Sequence, residues 1–199
     1  MSTNSKRIKI VVEGSYSLMI DGFGDYAAEQ VSRGTSKAIT PRHTLEPRQE
    51  AERRLYIDSK QRIVFPGANL FAAIVQAGTF IKVGRKALST QKSSLVPACV
   101  AVVDIDIPIA RPDGQPITWE VDRRSVVIPA TGGRVMCHRP RFDVWQLSFT
   151  VEYDSSMIGE ATVRELVDYA GQRIGIGVFR PARRGPFGRF KVVGWQAIL

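Results

Sequence analysis

Four strand-like and two helical segments follow one another as strand, helix, strand, strand, helix, strand, and so predict an α+β chain with a ferredoxin-like (RRM-like) βαββαβ core. Three observations carry that expectation. β-Branched runs open and close the chain, two segments place apolar residues at helical spacing, and the two stretches that fit neither pattern fall between core elements.

The first strand segment is RIKIVVEGSYSLMI, from Arg7 to Ile20, rich in β-branched and aromatic residues. It reads as one long strand or as two interrupted at Gly14. Residues 21–62 lack apolar periodicity and are too long for a plain connection, which marks a first insertion. In VFPGANLFAAIVQAGTFIKVG, Pro66 stands at a helix start, and Leu70, Ile74, Ala77 and Ile81 recur at helical spacing, predicting a buried helix over 67–82. CVAVVDIDIPI predicts a strand from Cys99 to Ile109.

Residues 111–141 form a second insertion, in which SVVIPATGGRVMC predicts a protruding β-hairpin turning at Thr131-Gly132-Gly133. Phe142 to Tyr153 is the third core strand. GEATVRELVDYAGQRIG is an amphipathic helix with Ala161, Val163, Leu166, Val167 and Ala170 inward, ended by Gly171 or Gly175. FKVVGWQAI closes the sheet. No repeat, low-complexity tract or linker divides the chain, so 1–199 reads as a single domain.

The 199 residues carry 28 Lys+Arg against 19 Asp+Glu, a formal net charge of +9. That excess favours a polyanionic partner, nucleic acid or an anionic surface. No apolar run approaches a membrane span, and no amphipathic helix pairs these cations with exposed bulky apolar residues, which argues against a membrane partner. Cys99, Cys137, His43 and His138 show no metal-ligand spacing, so neither a metal nor a cofactor is expected. With no disulfide demanded and no apolar leader in MSTNSKRIKI, the expected location is the cytoplasm.

Charge and backbone freedom concentrate in GIGVFRPARRGPFGRF, Gly175 to Phe190. Gly175, Gly177, Gly185 and Gly188 permit positive φ angles and a close approach of main chain to phosphate. Arg180, Arg183, Arg184 and Arg189 supply long-range attraction and bidentate phosphate contacts. No acidic residue follows Asp168, so these arginines, Arg173 and Lys191 lack a compensating carboxylate in sequence. Phe179 and Phe187 are candidates to stack on bases, while Phe190, beginning a strand, faces the core. In the second insertion Arg123, Arg124, Arg134, Arg139 and Arg141 flank the hairpin.

PGANLFAAIVQAG at the first helix and the glycine-arginine loop before the last strand occupy the same topological positions as two motifs of the RAMP superfamily, which the chain resembles. It is most similar to the backbone subunits of CRISPR effector complexes that polymerise along guide RNA. Two departures stand out: Ala68-Asn69 replaces the small hydroxyl pair of that family, and Ile74-Val75-Gln76 stands where a basic residue is expected. The short chain also fits a stand-alone or phage-encoded relative.

The resemblance implies single-stranded RNA as ligand, with target DNA as an alternative, and copies of this chain and other effector-complex subunits as partners. It adds Gly67 and Asn69 to the binding residues. It also implies that the hairpin folds over the strand as a thumb, with Val127 and Ile128 wedged between bases; a hairpin used for subunit contact is the alternative.

Some relatives cut RNA with an acidic residue after the first strand, where Asp21 and Asp25 lie, and His43 is a further candidate. Asp-Gly is a common turn sequence, however, and a lone histidine lacks a partner for acid–base work. Binding without turnover is therefore expected, with an endoribonuclease and a protein-binding decoy as the alternatives.

Overall fold

A computed structural model describes residues 4–22, 46–127 and 132–198. Asp25, His43, Ile128 and Thr131 lie outside them.

β1 (Ser5–Gly14) alternates strictly, burying Ile8, Ile10 and Val12. It stops where Gly14 meets Trp145; a Cβ on Gly14 would lie 2.2 Å from the indole. After a bend, β2 (Leu18–Met19) joins a different sheet, so the segment is two strands, as the glycine allowed. Of the first insertion, α1 (Pro47–Glu52) and β3 (Tyr56–Ile57) are described. β4 (Ile63–Pro66) leads into α2 (Gly67–Ala77), with Pro66 as its cap residue.

α2 is shorter than the expected 67–82. The Thr79 hydroxyl donates to the Gln76 carbonyl, one 3₁₀ turn covers Gly78–Phe80, and Ile81 is extended, though buried. β5 (Lys82–Val83) and β6 (Lys86–Ala87) form a small hairpin, followed by α3 (Val96–Cys99).

The expected strand 99–109 is broken. The Asp104 carboxylate accepts the Thr150 N–H at 2.6 Å, ending the ladder, and Gly67 N–H donates to the Ile105 carbonyl. The result is β7 (Val100–Val102) in the main sheet and β8 (Asp106–Pro108) beside β4. β9 (Glu120–Val127) and β10 (Arg134–Phe142) make a hairpin longer than its glycine-centred signature, in register from Arg134 opposite Val127 to Arg141 opposite Glu120.

The third core strand does not begin at Phe142, because that residue ends β10. The chain changes sheets over 143–145, and β11 (Gln146–Asp154) begins where Gln146 and Ala110 exchange backbone hydrogen bonds. α4 (Glu160–Tyr169) buries Val163, Leu166 and Val167 as expected, but Ala161 is exposed. It runs into a π turn over Ala170–Ile174 that ends at Gly175, with φ 69°, rather than at Gly171. β12 (Phe190–Ile198) closes the chain.

The main sheet has the order β12-β1-β11-β7 with every neighbouring pair antiparallel. That is the ferredoxin-like order for a βαββαβ chain whose helices are α2 and α4. Its helix-covered face buries Ile8, Ile10, Val12, Leu147, Phe149 and Val151 against Leu70, Ile74, Val163 and Leu166. The other face presents Lys9, Val11, Glu13, Ser148, Thr150 and Gln196, with no aromatic side chain among the described strand residues. Base stacking on the open sheet, the usual mode of an RRM, therefore has no platform here. Smaller sheets, β2-β10-β9 and β3-β4-β8, flank the core.

Candidate nucleic-acid interface

The C-terminal loop is held by its own backbone. Val178 N–H donates to Met19 O at 2.8 Å, Gly188 N–H to Ser17 O at 2.8 Å, and Ile176 N–H to Gly188 O at 2.9 Å. Each of the four glycines sits where a side chain has no room. A Cβ would fall 2.6 Å from Pro181 at Gly175, 2.3 Å from Met19 O at Gly177, 1.8 Å from Phe179 O at Gly185 and 1.8 Å from Ile176 O at Gly188. Gly175, Gly177 and Gly188 also have positive φ. Gly177, Gly185 and Gly188 bring main chain against main chain within the protein, Gly175 seats the Pro181 ring, and the N–H groups of Gly175, Gly185 and Gly188 go to internal carbonyls. The loop is a packed turn that presents its side chains. Gly67 is used the same way, with Asp104 O 1.9 Å from where its Cβ would be.

The arginines of the loop divide. Arg183 and Arg184 are exposed, and no carboxylate of a described residue lies within ion-pair distance of either. The pair is aimed outward by a 3₁₀ turn, Pro181–Arg183, ending in Arg184 at φ 63°. Arg180 turns inward and donates from Nη1 to Gly177 O at 2.8 Å; burial, and then the charge of Arg183, push its guanidinium below the usual range. Arg189 lies over the Tyr16 ring, while its carbonyl accepts Ser15 N–H, pinning the end of the loop. Arg173 is elsewhere, 5.0 Å from the Phe80 ring centre and 4.9 Å from that of Tyr169.

Beside the loop lies a cleft of about 180 Å³ lined by Asp21, Tyr56, Asn69, Gly177 and Arg180 among others. Asn69 reaches it from the first turn of α2, where the helix dipole favours negative charge. The structure thus brings Asn69 beside Gly177 and Arg180, which lie far from it in sequence.

β2 connects the loop to the hairpin, because Met19 accepts from Val178 and pairs with Arg141 of β10. Side chains opposite one another across the strands share a face. One hairpin face therefore carries Asp122, Arg124, Arg139 and Arg141, and the other Arg123, Ser125, Val127, Arg134 and Met136. On the first face the arginines meet carboxylates. Arg124 pairs with Asp122 at 2.7 Å and lies over the Phe187 and Phe179 rings, at 4.7 and 5.9 Å. Arg141 pairs with Asp143 at 2.8 Å, whose hydrogen bonds raise its pKa and hold the Asp143 carboxyl below the usual range.

Arg139, buried, pairs with Asp21 at 2.8 Å and lies over Phe179. On the second face Arg123 and Arg134 are exposed without a carboxylate among the described residues, and Arg134 donates to the Ser125 hydroxyl at 3.2 Å. Val127 and Met136 are exposed between them. Phe179 and Phe187 are half-buried under the hairpin arginines, and Phe190 is in the core, as its strand position required.

Asp21 is the hub of a partly buried ion-pair chain. Both its oxygens accept guanidinium hydrogen bonds, one from Arg54 and one from Arg139. Arg54 also contacts Glu50 at 3.2 Å, and Glu50 meets His138 Nδ1 at 2.6 Å. Arg54 Nε and Arg139 Nη1 are buried without a hydrogen-bond acceptor, so the two guanidiniums lean the more on Asp21. This chain ties α1 to the hairpin. Sequence reasoning missed Glu50, Arg54 and Tyr56; the one local signal is an acidic residue four positions before an arginine, Glu50 and Arg54.

Among the described residues no group of three or more His, Cys, Asp or Glu is placed to hold a metal ion, and no helix is long and apolar enough to cross a membrane. Both cysteines are buried and unpaired.

No family model matches the sequence, and no curated protein matches it. A chain in the cryo-EM structure of the Type III-B Cmr-beta bound to cognate target RNA is similar in fold, with a TM-score of 0.57 and 10% identity. The match covers 99% of this chain and 62% of that one, so this chain spans less than two thirds of that neighbour's length. At that identity the likeness is one of fold, and it agrees with the α+β ferredoxin-like architecture described above.

Proposed function

We propose that this chain binds single-stranded RNA through its phosphate backbone, as a repeated subunit of a multi-subunit complex related to CRISPR effectors. The carrying observation is the outward pair Arg183 and Arg184, without a carboxylate partner among the described residues, on a loop locked to β2 beside the cleft of Arg180 and Asn69. Guanidiniums so placed grip successive phosphates and give affinity without sequence preference. The similar fold of a chain in an RNA-bound Cmr-beta structure supports the same class of ligand. Arg123 and Arg134, with Val127 and Met136 exposed beside them, lie on the hairpin face turned away from the loop and offer the strand a further, separate contact.

Packed glycines give this reading its mechanism. A loop rigid at its base holds the guanidiniums in a fixed relation, so less conformational entropy is lost on binding than from a floppy arginine-rich tail. Further copies then add along one strand, and the contacts between them set the length of the assembly.

The direct test is purification of the full chain, with the 260/280 nm ratio and the size-exclusion profile read before and after RNase or DNase. The reading expects large particles that RNase alone disperses. DNase-only dispersal moves the ligand to DNA, and a monomer indifferent to both that binds no labelled single strand contradicts the reading.

A further inference from the structure

From Ile63 to Val103 the sequence has no acidic residue, yet it carries Lys82, Arg85, Lys86 and Lys92. All four are exposed, and none has a carboxylate within ion-pair distance among the described residues. Three of them sit on the β5–β6 hairpin, where Lys82 pairs with Ala87 and Val83 with Lys86. Its two-residue turn begins at Gly84, φ 62°, a conformation that suits the twist of a tight hairpin and disfavours other residues.

The hairpin stands on a fixed base. Leu88 N–H donates to Ile81 O at 3.0 Å, Ser89 N–H to Gly78 O at 3.1 Å, and the Ser89 hydroxyl bonds Val75 O at 2.6 Å. Leu88 and Ser89 are each only 4% exposed. The cations are therefore presented by a mount that is packed into the end of α2.

An aromatic platform adjoins them. Phe80, 46% exposed and two residues before Lys82, has its ring centre 6.0 Å from that of Tyr169, and Arg173 lies over both rings. Cations bordering an exposed aromatic with an arginine against it make the surface that single-stranded nucleic acid uses, phosphates to the cations and a base to the ring. An acidic protein segment would need the cations alone. Asn69 lies in the first turn of α2 and Phe80 just beyond its last, so this surface and the cleft are separated by the length of an eleven-residue helix, about 16 Å.

We infer that the β5–β6 hairpin with Phe80, Tyr169 and Arg173 is a second binding surface for single-stranded nucleic acid, separate from the glycine-arginine loop. It holds either a further stretch of the same strand or a second strand. Arg173 belongs to this surface, although its place in sequence groups it with the loop.

The test uses the full chain and labelled single-stranded RNA, with fluorescence anisotropy followed across salt concentrations. Lys82→Glu, Arg85→Glu and Lys86→Glu together are expected to lower the magnitude of the salt slope by about 2, at roughly 0.7 for each phosphate no longer neutralised. Phe80→Ala is expected to weaken binding about tenfold with the slope unchanged, and Phe80→Trp to restore it. Circular dichroism of each variant checks that the fold is kept.

Arg183→Glu with Arg184→Glu, measured alone and with the hairpin variant, separates the two surfaces: the losses add if both bind. If the hairpin variant binds with wild-type affinity and slope while the loop variant is weakened, the inference is overturned and the surface is left to an acidic protein. If the loop variant alone binds as wild type, the primary reading fails while this one stands.

Discussion

In the C-terminal loop Arg183 and Arg184 face outward without a carboxylate among the described residues, whereas Arg124, Arg139 and Arg141 of the β9–β10 hairpin each lie against one. Both regions look alike as sequence: glycines and arginines in a short span. The hairpin commits its guanidiniums to Asp21, to Asp143 and, within its own strand, to Asp122, and the loop uses its glycines to fasten itself to β2. What remains free for a polyanion is set by which device does the fastening. Counting cations overstates the hairpin and understates the rigidity of the loop.

The contrast breaks most severely at Gly188. Alanine there puts a Cβ 1.8 Å from Ile176 O at φ 68°, so overpacking and backbone strain add, and Gly188→Ala should cost about 4 kcal/mol in urea unfolding. A cost below about 1 kcal/mol would mean that the loop does not need its packed backbone.

Asp21→Ala comes next. It strips Arg54 and Arg139 of their shared partner, with Arg139 only 10% exposed at its side chain, and should cost about 3 kcal/mol. Asp21→Asn keeps the shape but not the charge and should fall between wild type and alanine.

Acid sharpens the comparison further. Burial pushes the Glu50 carboxyl up, but hydrogen bonds and charge from His138, with the charge of Arg54, outweigh it and leave Glu50 below its ordinary 4.5. A carboxyl lowered in the folded state contributes stability that is present above the unfolded value and lost as pH falls through the folded one. Unfolding free energy should therefore drop more steeply below pH 4.5 in the wild type than in Glu50→Gln, and equal slopes would count against the ion-pair chain. The smallest effect is expected from Arg141→Ala, whose partner Asp143 is 51% exposed: about 0.5 kcal/mol, with no change in the salt dependence of RNA binding.

Most of the fold is legible in the sequence because the core elements announce themselves by period. Ile8, Ile10 and Val12 alternate, and Leu70, Ile74 and Ala77 recur at helical spacing. The breaks are less legible, since they depend on partners far away in the chain. The expected strand 99–109 splits because Asp104 finds Thr150, and the strand expected from Phe142 starts late because Gln146 finds Ala110.

At the candidate site the glycine positions stand out in sequence but their surroundings do not; Gly185 is constrained by Phe179 O, an atom that only the folded loop brings near. The pairing of Arg139 with Asp21 spans 118 residues and leaves no local pattern. Lys82, Arg85 and Lys86 are visible as charges, but their significance rests on Phe80 and Arg173 meeting in space.

The central claim is that the outward loop guanidiniums hold phosphate and the carboxylate-paired hairpin ones do not. The most direct measurement is the salt dependence of binding to labelled single-stranded RNA for the wild type, Arg183→Glu/Arg184→Glu and Arg141→Ala. The expected result is a slope flatter by about 1.4 for the loop variant, at roughly 0.7 per phosphate, for every sequence tested and with Arg141→Ala unchanged. Wild-type slope and affinity in the loop variant, or an equal loss in Arg141→Ala, would contradict it.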